Sequence, residues 1–175
     1  DISGAGGLVA IGDGRLTLSG HNTYAGTTDV GGAVTVESMF AVPGAVNIHA
    51  QGTLIVHGDI GGNVTNASQL VTSETPTHIA GNFIQTASGR LSQQLGAPLI
   101  VSGNASLAGD FFIAGSVPGY TVTSHQQVLT ANSITGTFTT QTLGTGVFLS
   151  TSLNYLPQEV WIDTTVLSVT RVAST

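Results

Sequence analysis

The 175-residue sequence predicts an all-β fold: a right-handed parallel β-helix closed at its C-terminal end by a bulkier cap. Three observations carry that prediction. The dipeptide Gly-Asn recurs at Gly62-Asn63, Gly81-Asn82 and Gly103-Asn104, at intervals of 19 and 22 residues, and short runs of β-formers such as Phe83-Ile84-Gln85 and Ala105-Ser106-Leu107 follow it. Self-similarity at such a period marks a solenoid, whose units bury their apolar face only by stacking on neighbours. No window carries a sustained i, i+3, i+4, i+7 apolar stripe, because Gly, Thr and Asn interrupt every stretch long enough for a helix. Finally, Phe111, Phe112, Tyr120, Phe138, Phe148, Tyr155 and Trp161 hold most of the aromatic residues and lie late in the chain.

Taken in order, the predicted strands are 15–18, 27–30, 33–36, 46–48, 53–56, 62–64, 78–85, 90–94 and 99–102, then a denser series from Ser106 onward. Each is short, alternates apolar with polar residues, and closes on a Gly, Asn or Asp turn. Strands come every 8–12 residues between about 14 and 110, two or three per repeat, without paired Asn-Gly hairpin turns. That spacing also suits a sandwich of antiparallel sheets, and the fixed repeat decides for the coil. In a parallel coil, equivalent residues of successive turns lie about 4.7–4.9 Å apart, so identical side chains can stack. Asn63, Asn82 and Asn104 form the predicted ladder, each amide hydrogen-bonding the turn above and below.

From about Pro98 the strands lengthen, as in 147–155 and 159–165. A solenoid's last turn exposes an unpaired edge and an open apolar end, which a bulkier unit must cover. The sequence therefore divides into parallel β-helix rungs over 1–97 and a cap over 98–175, continuous with the coil.

Composition sets bounds on function. With 41% hydrophobic residues, 24 Gly and 7% charged residues, the chain is too apolar to stay disordered. Arg15, Arg90 and Arg171 are its only Lys or Arg residues, scattered against nine carboxylates for a net charge of −6. Nucleic acid and anionic membrane surfaces both require clustered cations, so neither is an expected partner. Absence of cysteine removes disulfides, zinc-thiolate sites and thiol catalysis. No segment approaches the roughly 20 apolar residues of a membrane helix. Opening on Asp1 without a signal-peptide pattern, the chain reads as a piece of a longer protein.

Within Leu16-Thr-Leu-Ser-Gly-His-Asn-Thr-Tyr-Ala-Gly-Thr-Thr-Asp-Val30, the residues Leu16, Leu18, Gly20, Asn22, Tyr24, Gly26, Thr28 and Val30 fall on a pattern L-x-L-x-G-x-N-x-Y-x-G-x-T-x-V. This resembles the passenger-associated transport repeat of bacterial autotransporters, with Thr27 standing where a second Gly is common. Gly52-Thr-Leu54, Gly81-Asn-Phe83, Leu99-Ile-Val-Ser-Gly-Asn-Ala105 and Leu107-Ala-Gly109 look like later turns of such passengers, and Gln127-Val-Leu-Thr-Ala131 with Gly136-Thr-Phe138 resembles their autochaperone region. The resemblance implies a Gram-negative cell-surface or secreted protein with a pectin-lyase-like solenoid, exported through a C-terminal outer-membrane β-barrel. No barrel-like set of alternating strands with aromatic girdles ends this sequence, as expected of a chain stopping before the barrel.

Catalytic and metal sites find little support. The acids Asp13, Asp29, Glu37, Asp59, Glu74, Asp110, Glu159 and Asp163 are dispersed, and Arg90 has none nearby in sequence, whereas a calcium-dependent lyase needs them gathered. No G-x-S-x-G occurs; Gly115-Ser116-Val-Pro-Gly119 reads as a turn. His57-Gly58-Asp59 resembles a His-Gly segment of subtilisin-like passengers without the rest of that constellation. His49 and His57 are separated by a predicted turn at Gly52 and are expected to be structural. Gly12-Asp13-Gly14 is a single fragment of a calcium nonapeptide, and ion binding needs consecutive copies. Asn66-Ala-Ser68 and Asn104-Ala-Ser106 match glycosylation acceptors only by accident in a bacterial chain.

The sequence thus predicts no catalytic, cofactor-binding or metal residues, no cofactor and no enzymatic activity. The expected role is structural stem and autochaperone of an autotransporter passenger, nucleating its folding at the cell surface. Its expected partners are its own C-terminal outer-membrane β-barrel and the upstream passenger, and the expected state is a monomer. Two alternatives stay open: an adhesin surface for a host protein or glycan ligand, and the non-catalytic stem of a secreted hydrolase such as a subtilisin-like protease or esterase.

Overall fold

In the computed structural model, residues 1–119, 125–144 and 149–166 are described. The chain winds as a three-faced parallel β-helix, and each turn places one strand on each face. The first turn comprises β1 (Ser3–Gly4), β2 (Leu8–Ile11) and β3 (Gly14–Leu18), and the second β4 (Thr23–Tyr24), β5 (Thr28–Gly31) and β6 (Val34–Ser38). In the next two turns the first face is reduced to single bridges at Val42 and Ile60. These precede β7 (Val46–Ile48) with β8 (Thr53–Val56), and β9 (Val64–Asn66) with β10 (Gln69–Thr72). Then come β11 (Thr77–Ile79), β12 (Phe83–Gln85) and β13 (Arg90–Leu95), followed by β14 (Leu99–Val101), β15 (Asn104–Leu107) and β16 (Asp110–Ser116). The last parallel turn holds β17 (His125–Thr130), β18 (Ser133–Gly136) and β19 (Thr140–Leu143). The hairpin of β20 (Leu149–Tyr155) and β21 (Glu159–Val166) follows.

The second and third faces are each seven strands deep, ordered β2-β5-β7-β9-β12-β15-β18 and β3-β6-β8-β10-β13-β16-β19. Inward residues stack in register. Leu8, Thr28, Val46, Val64, Phe83, Ala105 and Ile134 form one column, and Leu16, Val36, Leu54, Leu70, Leu91 and Phe111 another. Alternation along each strand produces these columns, since every second side chain points inward. Burying a Leu, Ile, Val or Phe stabilises by roughly 1.5–3 kcal/mol relative to leaving it exposed.

Strand expectations change at several places: β1, β2 and β4 lie outside the predicted strands, and the one placed at 62–64 runs instead over Val64–Asn66. The single strand predicted over 78–85 is two, β11 and β12, because the chain turns a corner at Gly81-Asn82 between faces. β10, over Gln69–Thr72, is a strand the sequence reading passed over; the polar flanks at Asn66 to Ser68 and Ser73 masked its Leu-Val centre.

One corner, where the first face meets the second, is a column of glycines: Gly6, Gly26, Gly44, Gly62, Gly81 and Gly103. A Cβ added at Gly26, Gly44, Gly62, Gly81 or Gly103 would lie 2.3–2.9 Å from backbone atoms of the turn before it. Here the polypeptide touches itself main chain to main chain.

The two ends differ. Leu8 and Leu16 are only half-buried, while Thr28 and Val36, one turn on, are fully buried. At the other end β21 pairs antiparallel with β17 and β20 pairs with β21. Ala131 N–H donates to Gln158 C=O (2.9 Å) and Ile134 N–H to Pro157 C=O (2.8 Å), so the hairpin tip covers the edge of β18. Phe138 N–H donates to Tyr155 Oη (3.1 Å), and the Phe138 ring lies 5.2 Å from Phe111 and 6.5 Å from Tyr155. Burial raises the Tyr155 hydroxyl pKa, and the bond from Phe138 opposes this in part. Trp161, expected among the cap's apolar contacts, instead points outward. It stacks on His125 (4.5 Å, 5° between planes) and donates to Glu159 (2.9 Å), while its neighbours Val160 and Ile162 are the buried residues. Tyr120, Phe148 and the start of the strand predicted at 147 lie outside the described residues.

Candidate functional site: ladders between turns

The three Gly-Asn pairs stand above one another at the glycine corner. Asn82 N–H donates to Asn63 Oδ1 and Asn104 N–H donates to Asn82 Oδ1, both at 2.8 Å. At the foot, Ser133 Oγ donates to Asn104 Oδ1 (2.9 Å). The ladder thus runs from backbone amide to side-chain carbonyl. Each glycine makes room for it: a Cβ on Gly81 would lie 2.3 Å from Asn63 Oδ1, and one on Gly103 the same distance from Asn82 Oδ1.

A second ladder lies inside the coil and escaped the sequence reading. Asn66 and Gln85, 0% and 2% exposed, continue a column otherwise made of Ala10, Val30, Ile48 and Leu107. Asn66 Nδ2 donates to Gln85 Oε1 (3.0 Å) and Arg90 C=O (2.9 Å), and Gln85 Nε2 donates to Ala108 C=O (2.8 Å) and Asp110 C=O (3.0 Å). Buried amides are tolerated when so satisfied. A signal existed, since Asn66 and Gln85 share the 19-residue interval of Asn63 and Asn82. Burial also removes Asn66 as a glycan acceptor.

Outside the coil, carboxylates tie neighbouring turns. Asp29 accepts from Asn47 Nδ2 (3.0 Å) and lies 3.0 Å from His49 Nε2; Asn47 first, then His49, holds its carboxyl below the usual range. Glu37 pairs with Arg15 and with His57 Nε2 (3.2 Å), which lower its pKa in that order. Asp163 is lowered chiefly by His125 (2.5 Å) and secondarily by Asn154 (2.6 Å). Arg90, which has no acid near it in sequence, meets Asp110 one turn later (2.8 Å) and lies over the Phe112 ring (5.2 Å). Asp110 also accepts from Thr140 (2.8 Å) and Thr142 (2.7 Å). Register between turns thus gives Arg90 an acid that lies 20 residues away in sequence.

The structure does not converge these groups on a reaction centre. His49 and His57 sit on different faces, with separate acids. His57 faces Glu37, while Asp59 accepts from His78 N–H (3.0 Å), so the His57-Gly58-Asp59 segment is split between partners. Among the described residues no three His, Asp or Glu side chains gather where a metal could sit. The third face carries an open groove of about 520 Å³ lined by Ile55, His57, Val71, Thr72, Ser73, Glu74, Thr75 and Gln94.

No family model matches the chain. It is similar to the Neisserial autotransporter lipoprotein NalP from two serogroup B strains of Neisseria meningitidis, 32% identical to each over 132 residues. The alignment takes in 69% of this chain and 12% of each relative, so the chain spans only a small part of their length.

Proposed function

We propose that this chain, whose homology to an autotransporter and whose parallel β-solenoid fit a fragment of an autotransporter passenger, is the stem and self-templating cap of that passenger. The observation that carries the reading is the asymmetry of the coil. Its C-terminal end is covered on the first and second faces by an antiparallel hairpin, with β19 left as an edge on the third, while among the described residues β2 and β3 both keep unpaired edges and half-buried Leu8 and Leu16. A stack covered on two of its three faces at one end extends more readily from the other.

In this reading the C-terminal part of the passenger emerges first at the cell surface. Residues 98–175 supply the autochaperone: hairpin and aromatic cluster fold together and give the next turn an edge. Non-local strand pairing is slow because loop closure precedes contact, and a preformed edge removes that delay. The chain acts without a catalytic centre of its own. Its partners are the C-terminal outer-membrane β-barrel and the upstream passenger of its parent, a Gram-negative surface or secreted protein, and it works as a monomer.

The test is surface display of the parent carrying Val160→Asp, which places a charge at a fully buried cap position. Reduced display with loss of protease resistance is expected. Unchanged display would overturn the autochaperone role. A second reading, adhesion to a host protein or glycan, is favoured by the groove around Ile55 and Val71, with its apolar floor and polar rim. Cell or glycan-array binding that Val71→Asp abolishes would establish it, and no binding by the intact chain would reject it.

A further inference from the structure

We infer that the Gly-Asn pairs are register keys, by which each folded turn selects the residue that the turn N-terminal to it must place at this corner. Three observations support this. Asn82 and Asn104 direct backbone N–H groups toward the preceding turn, and an Asn side-chain oxygen receives each one. The glycine beside each donor leaves the only space in which that oxygen fits, since a Cβ there would lie 2.3 Å from it. The site therefore takes a short side chain bearing an acceptor oxygen.

The third observation is where the keys occur. Thr28, Val46 and Val64 follow one another at 18-residue intervals, and Ala45, with no side-chain acceptor, occupies the corner above Asn63. Below Val64 the steps to Phe83, Ala105 and Ile134 are 19, 22 and 29 residues, and at each of these the corner of the upper turn carries an Asn. Keys appear where the turns lengthen toward the C-terminal end; the 20-residue step from Leu8 to Thr28 at the other end carries Gly7 at that position and has none. A slip by one residue inverts inside and outside and is rejected by burial alone. A slip by two keeps the alternation, and only a feature fixed to one residue rejects it.

The direction of selection rests on the C-terminal-first folding proposed above, but the key itself is testable without secretion, so the two can fail separately. The chain has no cysteine, which makes engineered pairs unambiguous. Thr65 and Ile84 are register partners on the outer surface, and a two-residue slip would set Thr65 opposite Thr86. Full-length chains carrying Thr65→Cys with either Ile84→Cys or Thr86→Cys are refolded and oxidised, with Asn63 intact, as Asn63→Ala or as Asn63→Asp. The 65–84 link alone is expected wherever the acceptor oxygen is kept, with Asn63 intact and in Asn63→Asp. In Asn63→Ala the 65–86 link should appear beside it. Amide exchange at Asn82 should quicken about fivefold or more in Asn63→Ala, the loss expected for one hydrogen bond. Exclusive 65–84 linkage in Asn63→Ala overturns the inference, whether exchange is unchanged or faster, because faster exchange alone leaves only an ordinary stabilising bond.

Discussion

Between β5 and β9 the coil repeats every 18 residues and its inward columns are mostly Val, Ile and Leu, with Thr28 and Asn66 among them; from β12 to the hairpin the step lengthens and the core takes in Phe83, Phe111 and Phe138. The comparison teaches that uniform turns hold register chiefly through alternation and apolar burial, with surface pairs such as Asp29 with Asn47 and Glu37 with His57 beside them. Unequal turns add polar devices: the Asn63, Asn82 and Asn104 ladder, the buried Asn66 and Gln85 pair, and Asp110 joining Arg90 to Thr140 and Thr142. The variable region is also the one closed by antiparallel strands.

The sharpest way to break this contrast is to disable the cap. Val160→Asp should lower unfolding free energy by at least about 4 kcal/mol, as an unpaired buried charge, read as a fall in the urea midpoint. Aromatic against aliphatic filling comes next, within one column. Phe111→Ala should cost about 3–5 kcal/mol and Leu54→Ala about 2–5 kcal/mol; hydrogen exchange should locate the first loss in the cap and the second in the upper turns. Gln85→Leu removes an acceptor from Asn66 and should cost about 1–3 kcal/mol, more than Ile48→Val two turns above, at about 0.5–1.5 kcal/mol.

Acidification probes both regions at once, with a smaller effect. Asp29, Glu37 and Asp163 have lowered folded pKa values, so below the usual carboxylate range the unfolded chain takes up protons more readily than the folded one. Their stabilisation is present at neutral pH and lost as pH falls through the folded values. Melting temperature should therefore drop between about pH 5 and pH 3, and Asp163→Asn should flatten the part belonging to the cap. Ser73→Ala, on an exposed loop, should stay within about 0.5 kcal/mol.

The coil was legible because its repeat is written in residues that serve backbone geometry. Gly62-Asn63, Gly81-Asn82 and Gly103-Asn104 each combine a position without room for a Cβ and a side chain bonded to the next turn, so both letters recur. Gly6, Gly26 and Gly44 occupy the same corner but are followed by Gly7, Thr27 and Ala45, and a search for the dipeptide passes over them. Side-chain pairs were harder to see. Arg90 with Asp110, or Arg15 with Glu37, depend on turn lengths that vary, so sequence separation does not reveal them. Trp161 misled because aromatic character suggests burial, whereas strand register turns it outward and Val160 inward.

The glycine column has an evolutionary consequence. Elsewhere a neighbouring side chain can shift to accommodate a larger residue, but at Gly26, Gly44, Gly62, Gly81 and Gly103 the obstacle includes the main chain of the preceding turn, which has nowhere to go. Drift can rewrite the faces of this molecule while leaving that one edge almost untouched. In divergent homologues the edge would outlast every other trace of common ancestry, and its glycines would mark every storey but the last, where Asn132 takes the place.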